Sequence, residues 1–206
     1  MLRKIRIAVL VSGGGTNLQT LIDAVEKGDI NGEIAAVISD RENAYALERA
    51  RKHGIKAIYI DRNQLAKRLL PELRELNIEL VVLAGFLSIL GRELVESYGE
   101  RIINIHPSLI PAFCGKGFYG EKVHKAALEY GVKVSGATVH FVDEGTDSGP
   151  IILQESVPVY TEDTVESLAA RVLKVEHRLL PAAVGLFCEG RLRIEGRSVI
   201  LLEKEV

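Results

Sequence analysis

Cysteine is nearly absent from this sequence, with Cys114 and Cys188 the only two. Two thiols without metal-motif spacing exclude a disulfide framework and a zinc-finger type of fold, and a reduced, cytoplasmic setting is expected. Long apolar runs are missing as well. Met1-Leu2-Arg3-Lys4-Ile5-Arg6 leads straight into an apolar strand without a signal-peptide pattern, so no membrane partner is expected. Neither charge sign dominates: 26 basic and 28 acidic residues leave a formal net charge of -2. Spread along the chain, they give no long-range field for a polyanion, and nucleic acid is not expected as a partner. His53, His106, His124, His140 and His177 lack paired ligand spacing, so no metal is expected.

What is present is ordinary globular composition, 47% hydrophobic and 26% charged. A chain of 206 residues fits a single domain over 1–206 and can bury roughly 70% of its unfolded surface without a covalent staple. Apolar strand patterns at Lys4 to Val11, Glu33 to Ser39, Lys56 to Ile60 and Glu79 to Ala84 alternate with helical patterns at Leu18 to Lys27, Ala44 to His53 and Gln64 to Leu76. That rhythm predicts a parallel α/β sheet whose ligands bind beyond the carboxyl ends of the strands. A helix is expected over Glu121 to Tyr130, and two strands, Val132 to Val142 and Ile151 to Val159, are joined too closely to be parallel. The sheet is therefore expected to be mixed.

Three stretches carry candidate chemistry. In Ile102-Ile103-Asn104-Ile105-His106-Pro107, an apolar strand brings an amide and an imidazole two residues apart, hence onto one face. Both can donate to a single oxygen, which outlines an oxyanion-stabilising pair; a capped strand end with a satisfied histidine is the plainer alternative. Ser12-Gly13-Gly14-Gly15-Thr16-Asn17 joins the first strand to the first helix, where backbone amides and the helix dipole attract phosphate. It lacks the Walker A lysine. It matches the dinucleotide fingerprint only in Gly13 and Gly15, with Asp40 as a possible ribose acid and Leu18 at the third glycine position. A simple tight turn capped by Thr16 or Asn17 is the alternative. In the last long helix, expected to start near Asp163 with Glu166 as its capping-box partner, Val165, Leu168, Ala169, Val172 and Leu179 form an apolar stripe. Glu176 falls inside that stripe, where a carboxylate needs a polar partner unless a kink before Pro181 turns it to solvent. Asp147, in the turn Asp147-Ser148-Gly149-Pro150, reads on its own as local backbone capping.

Taken together, Ser12 to Gln19, Val81 to Phe86, Asn104-Ile105-His106-Pro107-Ser108-Leu109, His140-Phe141-Val142, Asp147 to Gln154 and Val175-Glu176-His177 resemble the folate-dependent formyltransferases. The resemblance implies a Rossmann-like fold, a mixed, mostly parallel sheet with helices on both faces. It implies transfer of a formyl group from 10-formyltetrahydrofolate, as co-substrate, to the glycyl amine of phosphoribosylglycinamide in purine biosynthesis. Small-molecule substrates and a monomer or homodimer are expected. Carried over by motif, Asn104, His106 and Asp147 correspond to the catalytic trio. Gly15, Thr16 and Asn17 match the substrate phosphate loop, and Leu173, Lys174, Val175 and Glu176 match the ribose segment. Leu87, Ser88, Ile89, Leu90, Asn104, Asp143, Glu144, Gly145, Thr146 and Asp147 match the cofactor site. Asp147 is expected to keep His106 charged.

The sequence departs from the family pattern at Ser88, where an arginine is usual, and in Cys114 to Gly120. Arg62 and Arg68 are the candidates for holding the folate tail. Two alternatives stay open: formyltetrahydrofolate deformylase, in which water replaces the amine, and a non-catalytic nucleotide-binding module using the glycine loop and Asp40.

Overall fold

A computed structural model describes residues 3–203. Met1 and Leu2, read above as part of a start without a signal peptide, lie outside the described residues. Five strands come first, β1 (Ile5–Val11), β2 (Gly32–Ser39), β3 (Lys56–Tyr59), β4 (Leu80–Leu83) and β5 (Ile102–His106). They alternate with α1 (Thr16–Lys27), α2 (Tyr45–Lys52), α3 (Leu65–Glu75) and α4 (Arg92–Ser97). Then follow α5 (Glu121–Tyr130), β6 (Val134–Phe141), β7 (Ile151–Pro158), α6 (Val165–Cys188), β8 (Leu192–Glu195) and β9 (Ser198–Leu201).

All nine strands form one sheet in the order β3-β2-β1-β4-β5-β6-β7-β9-β8. Pairs among β1 to β5 are parallel, as is β7 with β9, while β5 with β6, β6 with β7 and β8 with β9 are antiparallel. The order reverses direction at β1 and β4. In sheets of this kind ligands bind at that switch point, beyond the strands' carboxyl ends.

Side chains alternate between the two faces. Ile7, Val9, Val82, Ile103 and Ile105 join one core with α1, α2 and α6, whereas Ala8, Leu10, Val81 and Ile102 join a second core with α3 and α4. Helices therefore cover both faces. Ile34 and Val37 share a core although they are three residues apart, because the register with β1 slips between Ile7 and Ala8. Ala35 is the additional residue, a bulge that reverses the phase of β2.

The last helix starts one residue later than expected. Thr164 caps it, and the reciprocal partner is Ser167 rather than Glu166. Asp163, one residue before the cap, instead takes the guanidinium of Arg171 at 2.7 Å. The helix continues through Pro181 to Cys188, so the stripe holds and Glu176 stays buried. α4 had no counterpart in the helical patterns, since six residues are too few to display a period. The terminal strands β8 and β9 form an antiparallel hairpin that extends the same sheet through β9. No helix among the described residues is long and apolar enough to cross a membrane.

Candidate active site

The strand pairing of β5 creates the first part of the site. Asn104 and His106 leave one face, and the antiparallel register sets His140 of β6 directly opposite Asn104. The His140 Nδ1–H donates to the Phe141 carbonyl at 2.7 Å, which leaves Nε2 to accept the Asn104 amide at 3.0 Å. Asp147 folds back over these groups. Its Oδ1 lies 3.4 Å from Asn104 Nδ2 and 3.7 Å from His140 Nε2, and its Oδ2 lies 3.5 Å from His106 Nδ1. To reach there, Asp147 adopts a φ of 55°. Aspartate tolerates that left-handed conformation better than most residues do.

Behind His106, the His-Pro-Ser-Leu turn is fixed by Thr138, the residue opposite His106 in β6. Thr138 Oγ1 donates to the Ser108 carbonyl at 2.6 Å, and it accepts Ile110 N–H at 3.1 Å and Gln154 Nε2–H at 2.9 Å. The following loop lies across the site. His106 Nε2 donates to the Phe113 carbonyl at 3.0 Å, and Gly115 N–H donates to Asp147 Oδ2 at 2.9 Å.

These contacts set the charges. Burial pushes the Asp147 carboxyl up, but the His140 ring, the charge on His106 and the Gly115 amide bring it below the ordinary value. For His106 burial is the largest influence and lowers the pKa, more than Asp147 and the Phe113 carbonyl raise it. Asp147 thus favours the charged imidazole, in the direction expected from sequence, but against a larger opposing effect of burial. Yet both ring nitrogens face acceptors, and only the imidazolium satisfies both.

The second part is the glycine loop. Gly13 carbonyl accepts Ala46 N–H at 3.1 Å and Gly14 carbonyl accepts Arg49 Nε–H at 2.8 Å, so both carbonyls turn toward α2. In a planar trans peptide the next N–H points the opposite way. The amides of Gly14 and Gly15 thus face outward together and join the open N-terminus of α1, a nest of donors of the kind that can attract an anion. Gly15 is required: its φ is 71°, and a Cβ there would lie 2.6 Å from Ala46 Cβ. Thr16 and Asn17 do not cap the helix. Asn17 instead donates to Glu176 Oε2 at 2.6 Å, while its own Oδ1 is buried without a partner. Burial raises the Glu176 pKa and the Asn17 bond only partly lowers it. Of the remaining ribose candidates, Val175 packs in the core, Leu173 is half-buried and Lys174 is exposed. Glu176 alone of the four meets the glycine loop.

The third part is built around Asp40. Its Oδ2 accepts Ser88 Oγ–H at 2.7 Å and Arg62 Nε–H at 2.9 Å, while Ser12 Oγ accepts Leu87 N–H at 2.9 Å. Burial would raise the Asp40 carboxyl, yet the hydrogen bonds from Ser88 and Arg62, with the Ser12 hydroxyl nearby, hold it below the usual range. A carboxylate so engaged, its side chain fully buried, is not presented to a ribose. The dinucleotide reading of Asp40 is therefore corrected: it clamps the segments that follow β1, β3 and β4. Among the described residues Arg68 bonds only to Gln64, at the N-cap of its own helix, at 3.1 Å. Leu87 and Ile89 are exposed, with Ser88 and Leu90 half-buried between them. Asp143 Oδ1 accepts Gly145 N–H at 3.0 Å and Ser148 Oγ–H at 2.6 Å, shaping the turn that carries Thr146 and Asp147. Glu144 reaches Arg92 at 3.7 Å, which brings the two candidate cofactor segments side by side.

His140 was absent from the sequence-based site, although its motif was noted. The signal that finds it is the antiparallel register, which needs the pairing of β5 with β6.

Residues 5–184 match the Formyl transferase family model. A phosphoribosylglycinamide formyltransferase from Haemophilus influenzae is 41% identical over 202 residues, spanning 95% of this chain and 93% of that protein. The chain belongs to the formyl transferase family and, within it, to the phosphoribosylglycinamide formyltransferases. The solved glycinamide ribonucleotide transformylase 1 from Symbiobacterium toebii superposes with a TM-score of 0.92 at 48% identity, covering 98% of this chain and 96% of that one. A formyltetrahydrofolate deformylase from Pseudomonas syringae gives a TM-score of 0.89 at 26% identity. It shares the fold over 98% of this chain, which spans only 67% of its length.

Proposed function

We propose that this chain transfers the formyl group of 10-formyltetrahydrofolate to the glycyl amine of 5'-phosphoribosylglycinamide, with Asn104, His106 and Asp147 as the catalytic groups. The observation that carries this reading is the position of Asp147, within 3.4 Å of the Asn104 amide and 3.5 Å of the His106 ring. Two neighbouring side chains of β5 and an aspartate about forty residues further on meet where one carbonyl carbon can react.

The free amine attacks the formyl carbon, a carbon–nitrogen bond forms, and the carbonyl oxygen becomes negative. Asn104 and His106 donate to that oxygen, and each such donor is worth about 2.7 to 4 kcal/mol in the transition state. A ligand oxygen that takes the His106 donor displaces the Phe113 carbonyl. One proton then leaves the attacking nitrogen, and one reaches N10 of the folate as the old carbon–nitrogen bond breaks. His106 delivers it, and Asp147, ionised, stabilises the imidazolium while the proton is held there.

The glycine nest takes the phosphate, Glu176 accepts from ribose hydroxyls, and the segments 87–90 and 143–147 flank the pterin. A buried acceptor with an incomplete set of donors suits a ribose hydroxyl. Arg62 is the residue for the folate tail, because Asp40 holds only its Nε and the guanidinium stays half-exposed. The test is the mass of the acceptor after incubation with purified protein and 10-formyltetrahydrofolate. Formylated nucleotide is expected; free formate with unmodified nucleotide would establish the deformylase instead.

A further inference from the structure

Three consecutive glycines place no Cβ barrier on rotation of the peptides between them. A flip of the Gly14–Gly15 peptide would exchange the outward N–H for a carbonyl oxygen, and a phosphate would then meet a partial negative charge. Something must hold the Gly14 carbonyl inward. The hold on Gly13 is a backbone amide, that of Ala46, but the hold on Gly14 is a side chain, the Nε–H of Arg49.

Arg49 is itself fixed on two further sides. Its Nη1 donates to Gln19 Oε1 at 3.0 Å, which ties α2 to the first turns of α1, and its guanidinium carbon lies 5.0 Å from the Tyr45 ring centroid. Gln19 is in turn held by Asp23 at 2.9 Å. Gly15 permits the close approach of α2 that puts the guanidinium within reach. Residues 12–19 contain no charged side chain, so no cation of the loop itself can do this work.

From this geometry we infer that Arg49 is a positioning residue for the substrate phosphate: by bonding the Gly14 carbonyl and Gln19 together, it keeps the loop amides turned toward the ligand. The inference rests on the glycine loop being the phosphate site. It goes beyond the charge of Arg49, because lysine lacks the planar fork needed to make both bonds in this geometry.

The test is equilibrium binding of phosphoribosylglycinamide, and of its dephosphorylated counterpart, to the full chain without cofactor, for the wild type, Arg49→Lys and Arg49→Ala. Both variants should bind the phosphorylated ligand more weakly, on the order of 10-fold, with lysine giving no rescue. Both should bind the dephosphorylated ligand as the wild type does, which a general loss of structure would not allow. In turnover, KM for the nucleotide should rise by a similar factor while kcat falls less than about threefold. Wild-type affinity in both variants, or full rescue by lysine, would overturn the inference and leave the loop's role standing. A wild-type protein that does not distinguish the two ligands would overturn both.

Discussion

Asn17 donates its side-chain amide to Glu176 at 2.6 Å, across 159 residues of chain, and so joins the start of α1 to the middle of α6. The contact explains why a carboxylate sits in an apolar stripe. It also leaves that carboxylate short of donors, with its pKa raised by burial. Folding therefore pays a desolvation cost that a nucleotide hydroxyl can offset.

Glu176→Gln removes the buried charge but retains an acceptor for Asn17. The native carboxyl has a raised pKa, so between 4.5 and that raised value the native state binds more protons than the unfolded chain. Wild-type stability should fall with rising pH across that window. The variant should match the wild type near pH 4 and exceed it at pH 8, with a Tm higher by about 2 to 4 °C per kcal/mol of relieved desolvation. Its affinity for the nucleotide should drop at least ~10-fold. Thermal unfolding at the two pH values, with a nucleotide titration, checks both halves.

His106→Ala deletes one of the two donors to the developing oxyanion. The kcat should fall at least ~100-fold, with both substrates still bound. Steady-state kinetics decide, and near-normal turnover would remove His106 from the chemistry.

Asp147→Asn preserves a side chain that tolerates the φ of 55°. It removes the charge that raises the His106 pKa, so that pKa should drop further below its ordinary value. The limb on which kcat falls with rising pH should move to lower pH, with kcat reduced ~100-fold at neutrality. A pH–rate profile of unchanged shape would contradict this role.

Gly15→Ala forces a Cβ within 2.6 Å of Ala46 Cβ at a φ of 71°. A destabilisation of about 2 kcal/mol is expected, with weaker nucleotide binding because α2 and the loop are pushed apart. Urea unfolding and a nucleotide titration measure the two effects.

Much of this was legible in the sequence because period two and period 3.6 are local properties. Asn104 and His106 share a face for the same reason that Ile103 and Ile105 do, and Glu176 is buried because Val172 and Leu179 are. What escaped depends on pairing. His140 joins the site through the register of β6 with β5, and Ala35 becomes a bulge only against β1. Asp40 read as a possible ribose acid, whereas Ser88 and Arg62, which follow other strands of the sheet, converge on it. The charge state of His106 depends on burial, which spacing does not report.

The most direct measurement is absorbance at the folate chromophore as purified protein is mixed with 10-formyltetrahydrofolate, with and without phosphoribosylglycinamide. Loss of the formyl group only when the nucleotide is present is the expected result. Equal loss without the nucleotide, or no loss with it, would contradict formyl transfer at this site.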